Sequence, residues 1–306
     1  MKWKKLGNVY CPSVSDKYTH AMLPVVEIVD AQSSSIRVYY THRDNNNYGF
    51  PTFLDAVISD DNKFTITYNH HEPIIDKGEL GNFDDSGVNV TSIVRAGSEI
   101  YYYYFGWNLG VTVPFRNAIG VAKSVGSGKN IRLLRQYPGP ILDRAPKFPG
   151  LCAVPCVIAE SGFFRMYFAQ GKPWIIKDGH PNVSCCISYA ESTDGFSWVR
   201  AEEPSVTNSP TDHVVTTPFV VFEDDIYKMW YSYRGERYRI GYAESNDGKT
   251  FIRKDSKVGI TVSQKGWDSE MVCYPKVFDL NDRRYMIYCG NSYGRTGFGL
   301  AVLESF

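Results

Sequence analysis

The sequence lacks a long apolar segment. No run approaches the roughly 20 apolar residues that a membrane-spanning helix needs. The first residues, MKWKKLGNVYCPSV, include basic side chains but not the apolar core of a secretory signal. We therefore expect a cytoplasmic protein without a membrane span.

Cysteine is scarce and odd in number, with seven residues in a chain of 306. Cys185 and Cys186 are adjacent, and adjacent residues of a strand point to opposite faces. This arrangement favours reduced thiols over a disulfide framework. Cys152 and Cys156 have no second pair of ligand residues, so we expect neither a disulfide nor a metal site there.

Neither sign of charge is in excess. The chain has 33 Lys and Arg residues and 33 Asp and Glu residues, which gives a formal net charge of +0. A balanced charge gives no reason to expect nucleic acid or an anionic membrane surface as a partner. The sequence also has no G-x-G-x-x-G, P-loop or H-E-x-x-H motif, so we expect no bound cofactor. The oligomeric state is left open.

Aromatic residues are abundant, with 22 Tyr and 17 Phe, which suits strands and aromatic-lined sugar clefts. Residues 227–253, YKMWYSYRGERYRIGYAESNDGKTFIR, predict two strands, a tight turn at Asp247-Gly248 and the start of another strand. Similar segments recur along the chain, and the copy at residues 186–200 has its turn at Asp194-Gly195. A supersecondary unit repeated at a nearly constant period is typical of a solenoid or propeller.

Five apolar, β-branched segments are candidates for the first strand of each unit. They are residues 21–28, 88–94, 152–158, 214–221 and 271–278. Four of them contain Pro, which a strand tolerates at an edge or at a bulge. The last unit lacks a fourth strand, and residues 3–6 resemble the missing piece. We therefore predict an all-β, five-bladed β-propeller formed by a single domain of residues 1–306 and closed by the N-terminal strand, which hides both edges.

Carboxylates lie just upstream of three of these first strands. They are Asp84 and Asp85 in the second unit, Asp212 (before His213) in the fourth, and Asp268 and Glu270 in the fifth. Carboxylates gathered at one channel mouth would suit glycosidic chemistry, which needs one protonated and one ionised group. The alternative is that each Asp stabilises a turn before a strand.

The five repeats, the hairpin at residues 190–198 and these acids resemble the five-bladed propeller glycosidases of glycoside hydrolase families 43, 32, 68 and 130. Segments such as FDDSGVNVTSIV and GWDSEMVCYP are similar to stand-alone propeller proteins associated with bacterial surface-polysaccharide genes. The chain departs from family 32 in lacking W-x-N-D-P-N-G. It departs from family 43 in having His20 where that family has an Asp.

The resemblance to family 43 implies roles for three acids. Asp85 would be the base, Asp212 would tune pKa and orientation, and Glu270 would be the acid, with Asp268 as the alternative inward residue. The pair Arg43-Asp44 resembles the Arg-Asp pair that stabilises the transition state in family 32. The alternative for this pair is a surface loop, since three Asn residues follow.

Other polar and aromatic residues fall in the loops between second and third strands, where binding residues are common. The candidates for substrate binding, besides Arg43, Asp84 and His213, are Trp107, Asn108, Arg116, Asn117, Arg234, Arg239, Asn291 and Arg295. Trp174, in a long loop of the third unit, could stack on a sugar face or serve as a packing lid. Asp194 and Asp247 are assigned to turns.

Three functions remain open at this point. The sequence favours glycosyl transfer in surface-polysaccharide biosynthesis, with a sugar phosphate or nucleotide sugar as donor, because a signal peptide is missing and Arg116, Arg234 and Arg239 lie near the expected rim. A glycoside hydrolase of the same fold is the second possibility. A non-catalytic propeller that binds sugars or proteins is the third.

Overall fold

The structure is a computed structural model that describes residues 1–13 and 17–305. Within these ranges the regular secondary structure is almost entirely antiparallel strand, with two short 3₁₀ turns and one helical turn, Asn291–Gly294. Most strands belong to five consecutive groups of four. No helix among the described residues is long and apolar enough to cross a membrane.

The strands of each group follow one another along the chain. Group one contains β2 (Met22–Asp30), β3 (Ser35–Arg43), β4 (Gly49–Ile58) and β5 (Phe64–Asn69). Group two contains β6 (Val88–Ala96), β7 (Glu99–Leu109), β8 (Phe115–Val125) and β9 (Arg132–Arg135). Group three contains β10 (Cys152–Glu160), β11 (Phe163–Gly171), β14 (Cys185–Ser192) and β15 (Val199–Arg200). A small hairpin of β12 (Ile175–Lys177) and β13 (His180–Asn182) extends from group three.

The last two groups complete this pattern. Group four contains β16 (Val214–Glu223), β17 (Ile226–Arg234), β18 (Tyr238–Ser245) and β19 (Ile252–Arg253). Group five contains β20 (Cys273–Leu280), β21 (Arg283–Cys289), β22 (Phe298–Ser305) and the N-terminal strand β1 (Lys2–Tyr10). Groups three and four share a single parallel contact between Cys185 and Val214.

The N-terminal strand pairs with the C-terminal one, as the sequence predicted. β1 runs antiparallel to β22, with Lys4 opposite Val302 and Lys5 opposite Ala301. Trp3 is buried in a core cluster that also contains Trp230 and Tyr288. The two ends of the chain therefore share one sheet.

Each first strand has a bulge at the same place, and Pro accounts for four of the five. The strand registers shift just before or around Pro24, Pro155, Pro218 and Pro275, and group two shifts between Val90 and Ser92 instead. Pro lacks a backbone N–H, so the ladder is interrupted there. The predicted association of Pro with bulged first strands is confirmed.

The second strands bury aromatic side chains on both faces. Tyr102, Tyr103 and Tyr104 are consecutive on β7 and all are buried. Since consecutive residues point to opposite faces, group two is covered on both sides. Aromatic residues also join successive groups. The rings of Tyr39 and Tyr102 meet, as do those of Tyr10 and Tyr40. The hydroxyls of Tyr103 and Tyr167 donate to Gly195 O and Gly248 O, and Trp230 and Tyr288 share one core cluster.

The turns predicted at Asp194 and Asp247 are present, and they explain why the fourth strands are short. Asp194 Oδ1 accepts hydrogen bonds from the backbone N–H groups of Phe196 and Ser197, both at 2.7 Å. These bonds hold the pKa of Asp194 at about 2. Because the turn uses these N–H groups, β15 begins only at Val199, and β19 is equally short.

Candidate binding site

A cavity of about 490 Å³ lies where several first strands begin. Its wall includes Leu23, Val154, Thr217 and Tyr274, the residues that precede the four bulge prolines. All four have positive φ, between 53° and 59°, a conformation that costs a non-glycine residue about 1–2 kcal/mol. Strained backbone of this kind gathers at binding and catalytic sites.

Aromatic rings form one wall of the cavity. Trp107 at the end of β7 stacks on Phe115 at the start of β8, with ring centroids 4.6 Å apart. Phe115 meets the edge of Trp174 at 5.4 Å, and Trp174 Nε1 donates to Gly150 O at 3.1 Å. The guanidinium of Arg43 lies 4.5 Å from the Trp107 ring. The predicted cavity residues Trp107 and Arg43 thus come together with Trp174.

A second arginine, Arg234, lines the cavity from the end of β17. Its Nη1 and Nη2 lie 3.5 Å from the Tyr293 hydroxyl and from His213 Nε2, and its guanidinium is 5.2 Å from the Tyr238 ring. Burial, together with the Arg234 charge, lowers the pKa of His213. The structure therefore brings together Arg234 and His213, both predicted from the sequence.

His20 lies on the same cavity. Burial, reinforced by the charges of Arg43 and Arg295, lowers the pKa of His20 to about 4. Its Nδ1 is 2.7 Å from the Thr19 hydroxyl. The imidazole is therefore neutral at physiological pH and is available as a hydrogen-bonding group.

Several buried polar atoms of the cavity wall have no hydrogen-bond partner in the described structure. They are Trp107 Nε1, Thr217 Oγ1 and Arg234 Nε. Trp107 is 9% exposed and Thr217 is 1% exposed. A buried donor without a partner is costly, so these atoms mark positions where a polar ligand would be stabilised.

The predicted carboxylates do not reach this cavity. None of Asp44, Asp84, Asp85, Asp212, Asp268 and Glu270 belongs to its described lining. Asp85 accepts hydrogen bonds from Asn108, Ser86 and Gly81, which stabilise the loop before β6. Asp85, Asp212 and Glu270 therefore do not meet in the described lining of this cavity, and the catalytic roles expected for them stay predictions.

Three of these carboxylates are instead held in buried ion pairs. Asp212 pairs with Arg253 at 2.9 Å, and Asp268 with Lys5 at 2.6 Å. Asp84 pairs with Arg135 at 2.7 Å, although burial raises its pKa. Each pair ties a loop to a strand that is distant in sequence.

The other two carboxylates lie near the surface. Glu270 is exposed, 3.9 Å from the exposed Arg237. Asp44 Oδ1 accepts from the backbone N–H groups of Asn46 and Tyr48, both at 2.9 Å. Asp44 therefore stabilises a surface turn, which is the alternative that the sequence left open, while Arg43 turns to the cavity.

The remaining predicted binding residues divide into two sets. Asn117 lines the cavity, and its Nδ2 donates to Gly106 O at 3.0 Å. Outside the described lining are Asn108, Arg116, Arg239, Asn291 and Arg295. Arg239 and Asn291 instead bind the backbone around Glu270.

Sequence reasoning missed several cavity residues. It did not single out Phe115, Thr217, Tyr238, Tyr274 or Tyr293 as ligand contacts. The residue that precedes Pro in four of the first strands was the available signal, because a bulge there turns that residue towards the cavity. Among the described residues, no group of three or more His, Cys, Asp or Glu side chains could hold a metal ion.

Comparison with solved structures identifies the class of fold. A solved structure described as a glycoside hydrolase has 14% sequence identity and a TM-score of 0.76, over 99% of this protein and 92% of that one. A thermostable family-43 glycoside hydrolase has 14% identity and a TM-score of 0.63, over 96% and 91%. A structure described in work on the GH130 family of mannoside phosphorylases has 16% identity and a TM-score of 0.60, over 99% and 90%. The protein thus has the β-propeller-type fold of glycoside hydrolases.

Closer relatives define the family itself. The chain is 39% identical over 310 residues to "Uncharacterized protein Rv1502" of Mycobacterium tuberculosis strain H37Rv, and the match covers 100% of both proteins. "Uncharacterized protein MT1551" of strain CDC 1551 matches at the same identity and coverage. The protein therefore belongs to the same family as these two mycobacterial proteins. No protein-family model matches the sequence.

Proposed function

We propose that the protein recognises a carbohydrate in the 490 Å³ cavity and does so as a binding protein. The aromatic wall of Trp107, Phe115 and Trp174 carries this proposal, because flat aromatic faces pack on the apolar faces of sugar rings. The unpartnered groups Trp107 Nε1 and Thr217 Oγ1 supply positions for sugar hydroxyl groups.

The charged groups of the cavity support binding over hydrolysis. Glycoside hydrolysis needs a carboxylic acid and a carboxylate flanking the scissile bond. The described lining contains Arg43, Arg234 and His20 but no Asp or Glu. Such a lining can orient a sugar, yet it offers no carboxylate pair to protonate a leaving group and activate water.

Glycoside hydrolysis is the second candidate, and the fold favours it. Two of the solved structures that share the fold are described as glycoside hydrolases, and one of them belongs to family 43. Glycosyl transfer in polysaccharide biosynthesis, which the sequence favoured, has no support from these comparisons. In this proposal a sugar phosphate or nucleotide sugar would be a bound ligand and not a glycosyl donor.

We propose the following architecture for this function. The five groups act as five blades around one channel, β1 closes the ring, and residues 1–306 form a single domain. Support comes from a second cavity of about 210 Å³, to which the first strands of all five groups contribute. The contacts between successive groups, including Tyr10 with Tyr40, also support a closed order.

We further propose that the protein acts in the cytoplasm. All seven cysteines are free, and six of them are buried. Free thiols are typical of reducing compartments. Cell fractionation with an antibody against the native protein tests the location, and recovery mainly in an extracytoplasmic fraction would contradict it.

A glycan array followed by titration calorimetry tests carbohydrate recognition. Wild-type protein should bind a defined subset of glycans, and Trp174→Ala should weaken binding about tenfold, the size of one aromatic contact. Trp198→Ala is the matched control, because Trp198 is also half-buried but does not line the cavity. Equal binding by wild type and Trp174→Ala would contradict the proposed site.

The bound glycan also separates binding from hydrolysis. After prolonged incubation with the protein, mass spectrometry should recover it intact. Release of a shorter glycan with a new reducing end would instead favour the hydrolase candidate.

A further inference from the structure

The cavity wall contains two arginines, Arg43 and Arg234, that lack, within the described structure, the carboxylate partner which other buried arginines of this protein have. Arg37, Arg165 and Arg253, which are also largely buried, each pair with a carboxylate at 2.6–2.9 Å. Arg43 and Arg234 have no carboxylate partner among the described residues. Since a guanidinium stays charged in proteins, both cations lie in the cavity wall without a counter-ion from the part of the chain that the structure describes.

The partners that these arginines do have are weak or neutral. The Nε–H group of Arg43 donates a hydrogen bond to Met22 Sδ at 3.2 Å, and the Nη1 group of Arg43 donates to Asn47 Oδ1. Arg234 has contacts at 3.5 Å with a hydroxyl and an imidazole, while its Nε has no partner among residues 1–13 and 17–305. Burying a charge without a counter-ion is costly, so such a pair of cations persists where an anion offsets the cost.

The surroundings reinforce the positive charge. The described lining includes no Asp or Glu. The charges of Arg43 and Arg295 add to burial in lowering the pKa of His20, and those of Arg234 and Lys177 do the same for His213. Burial is the larger cause of both pKa shifts, and Asp212 opposes the shift at His213, so the positive charge of the cavity rests on Arg43 and Arg234 themselves.

We infer that the ligand of this cavity is an acidic sugar, one that carries a carboxylate or a phosphate, with its anionic group held by Arg43 and Arg234. The sugar ring packs against the aromatic wall, and the anion accepts charge-assisted hydrogen bonds from the guanidinium groups. This inference rests on the proposed carbohydrate recognition and names the class of sugar.

Matched pairs of ligands test the inference. Titration calorimetry compares glucuronate and galacturonate with glucose and galactose, and glucose 1-phosphate with glucose. At least one acidic sugar should bind about 10–100-fold more tightly than its neutral parent, the range expected for hydrogen bonds to charged groups. That advantage should shrink as salt rises. Preference for the uronates or for the phosphate identifies the source of the anion.

Arginine variants locate the anion. Arg43→Gln and Arg234→Gln should each weaken binding of the acidic sugar about 10–100-fold while changing binding of the neutral parent little. Arg95→Gln is the matched control, because Arg95 is an exposed residue at the far end of β6. The melting temperature of each ligand-free variant, which should equal or exceed that of wild type, excludes misfolding as the cause of lost binding.

Three results would overturn the inference. Equal binding of acidic and neutral sugars would contradict the preference for an acidic sugar but would still support carbohydrate recognition. Inorganic phosphate or acetate binding as tightly as every acidic sugar would show a simple anion site. Absence of binding by any sugar, on the array and by calorimetry, would overturn the proposed function and this inference together.

Discussion

At the scale of single residues, Lys276 is a buried charge with little compensation among the described residues. It lies on β20 and is 2% exposed. Its Nζ has one long hydrogen bond, to Pro218 O at 3.4 Å, and lies 5.3 Å from the Phe219 ring. Burial lowers the pKa of Lys276. The native state therefore stabilises the ammonium group less well than water does.

Replacing this lysine should make the protein more stable. Lys276→Met keeps the length of the side chain and removes the buried charge, so we expect a gain of roughly 1–3 kcal/mol in the free energy of unfolding at pH 7. The folded pKa is lowered, so the penalty is absent above the unfolded pKa of about 10.4 and grows as pH falls towards the folded pKa. The gain should therefore shrink when denaturant unfolding is repeated near pH 10.

Lys228 provides the matched control for this measurement. It is also buried, but it pairs with Glu223 at 2.8 Å and with Asp224 at 3.1 Å. Lys228→Met should destabilise the protein, because it leaves carboxylates without that partner. A clear loss of stability in Lys276→Met would contradict the interpretation.

His20 should make the folded protein less stable at acidic pH. Its pKa of about 4 in the folded state is below the unfolded value of about 6.5, so the unfolded protein takes up the proton first. Stability is then lost as pH falls from about 6.5 towards 4. His20→Asn should reduce the fall in melting temperature between pH 7 and pH 5. An unchanged fall would show that His20 does not carry this effect.

At the residue scale, the sequence did not reveal which cation pairs with each predicted carboxylate. The carboxylates upstream of the first strands were recognisable, but their cations lie far away in the sequence. Lys5 and Asp268 are 263 residues apart, and Asp84 and Arg135 are 51 apart. Nothing in the local sequence distinguishes a carboxylate held in an ion pair from one that faces a cavity.

At the scale of the secondary-structure element, the bulged first strand determines the cavity. The residue before Pro takes a positive φ at four equivalent places and reaches the cavity wall. The recurring Pro made the bulges predictable. The outer strands were less predictable, because Asp194 and Asp247 bind backbone N–H groups that would otherwise join the ladder.

Two adjacent threonines on β16 test the strain in this bulge. Thr217 has a φ of 53°, and Thr216 is not among the residues with positive φ. Thr217→Gly relieves about 1–2 kcal/mol of strain, which offsets the flexibility that glycine adds to the unfolded state. Thr216→Gly should only destabilise the protein. Denaturant unfolding should place the two variants about 1–2 kcal/mol apart in this order, and the reverse order would contradict the assignment of strain.

At the scale of the whole molecule, the N-terminal strand joins the two ends of the chain. β1 pairs with β22 over most of its length, and Met1 N donates at 3.1 Å to Lys257 O in the 3₁₀ turn that follows β19. The sequence predicted this pairing because the last unit lacked a strand. The repeats therefore indicated the all-β groups and the pairing of the two chain ends, while the chemistry of the cavity emerged only from residues that folding brings together.

Removing this strand should destabilise the whole molecule. Deletion of residues 1–10 exposes the edge of β22 and removes Trp3 from its core cluster. An unpaired edge favours association between molecules, so the truncated protein should melt at lower temperature and elute partly as oligomers in size-exclusion chromatography. A monomer with wild-type melting temperature would contradict a structural role for β1.

The most direct test of carbohydrate recognition is a crystal structure of the protein soaked with the tightest-binding acidic sugar of the titration series. The sugar ring should lie in the 490 Å³ cavity against Trp107 or Trp174, with its anionic oxygens about 2.7–2.9 Å from guanidinium nitrogens of both Arg43 and Arg234. A sugar bound outside this cavity, beside Asp212 or Glu270, would contradict the account.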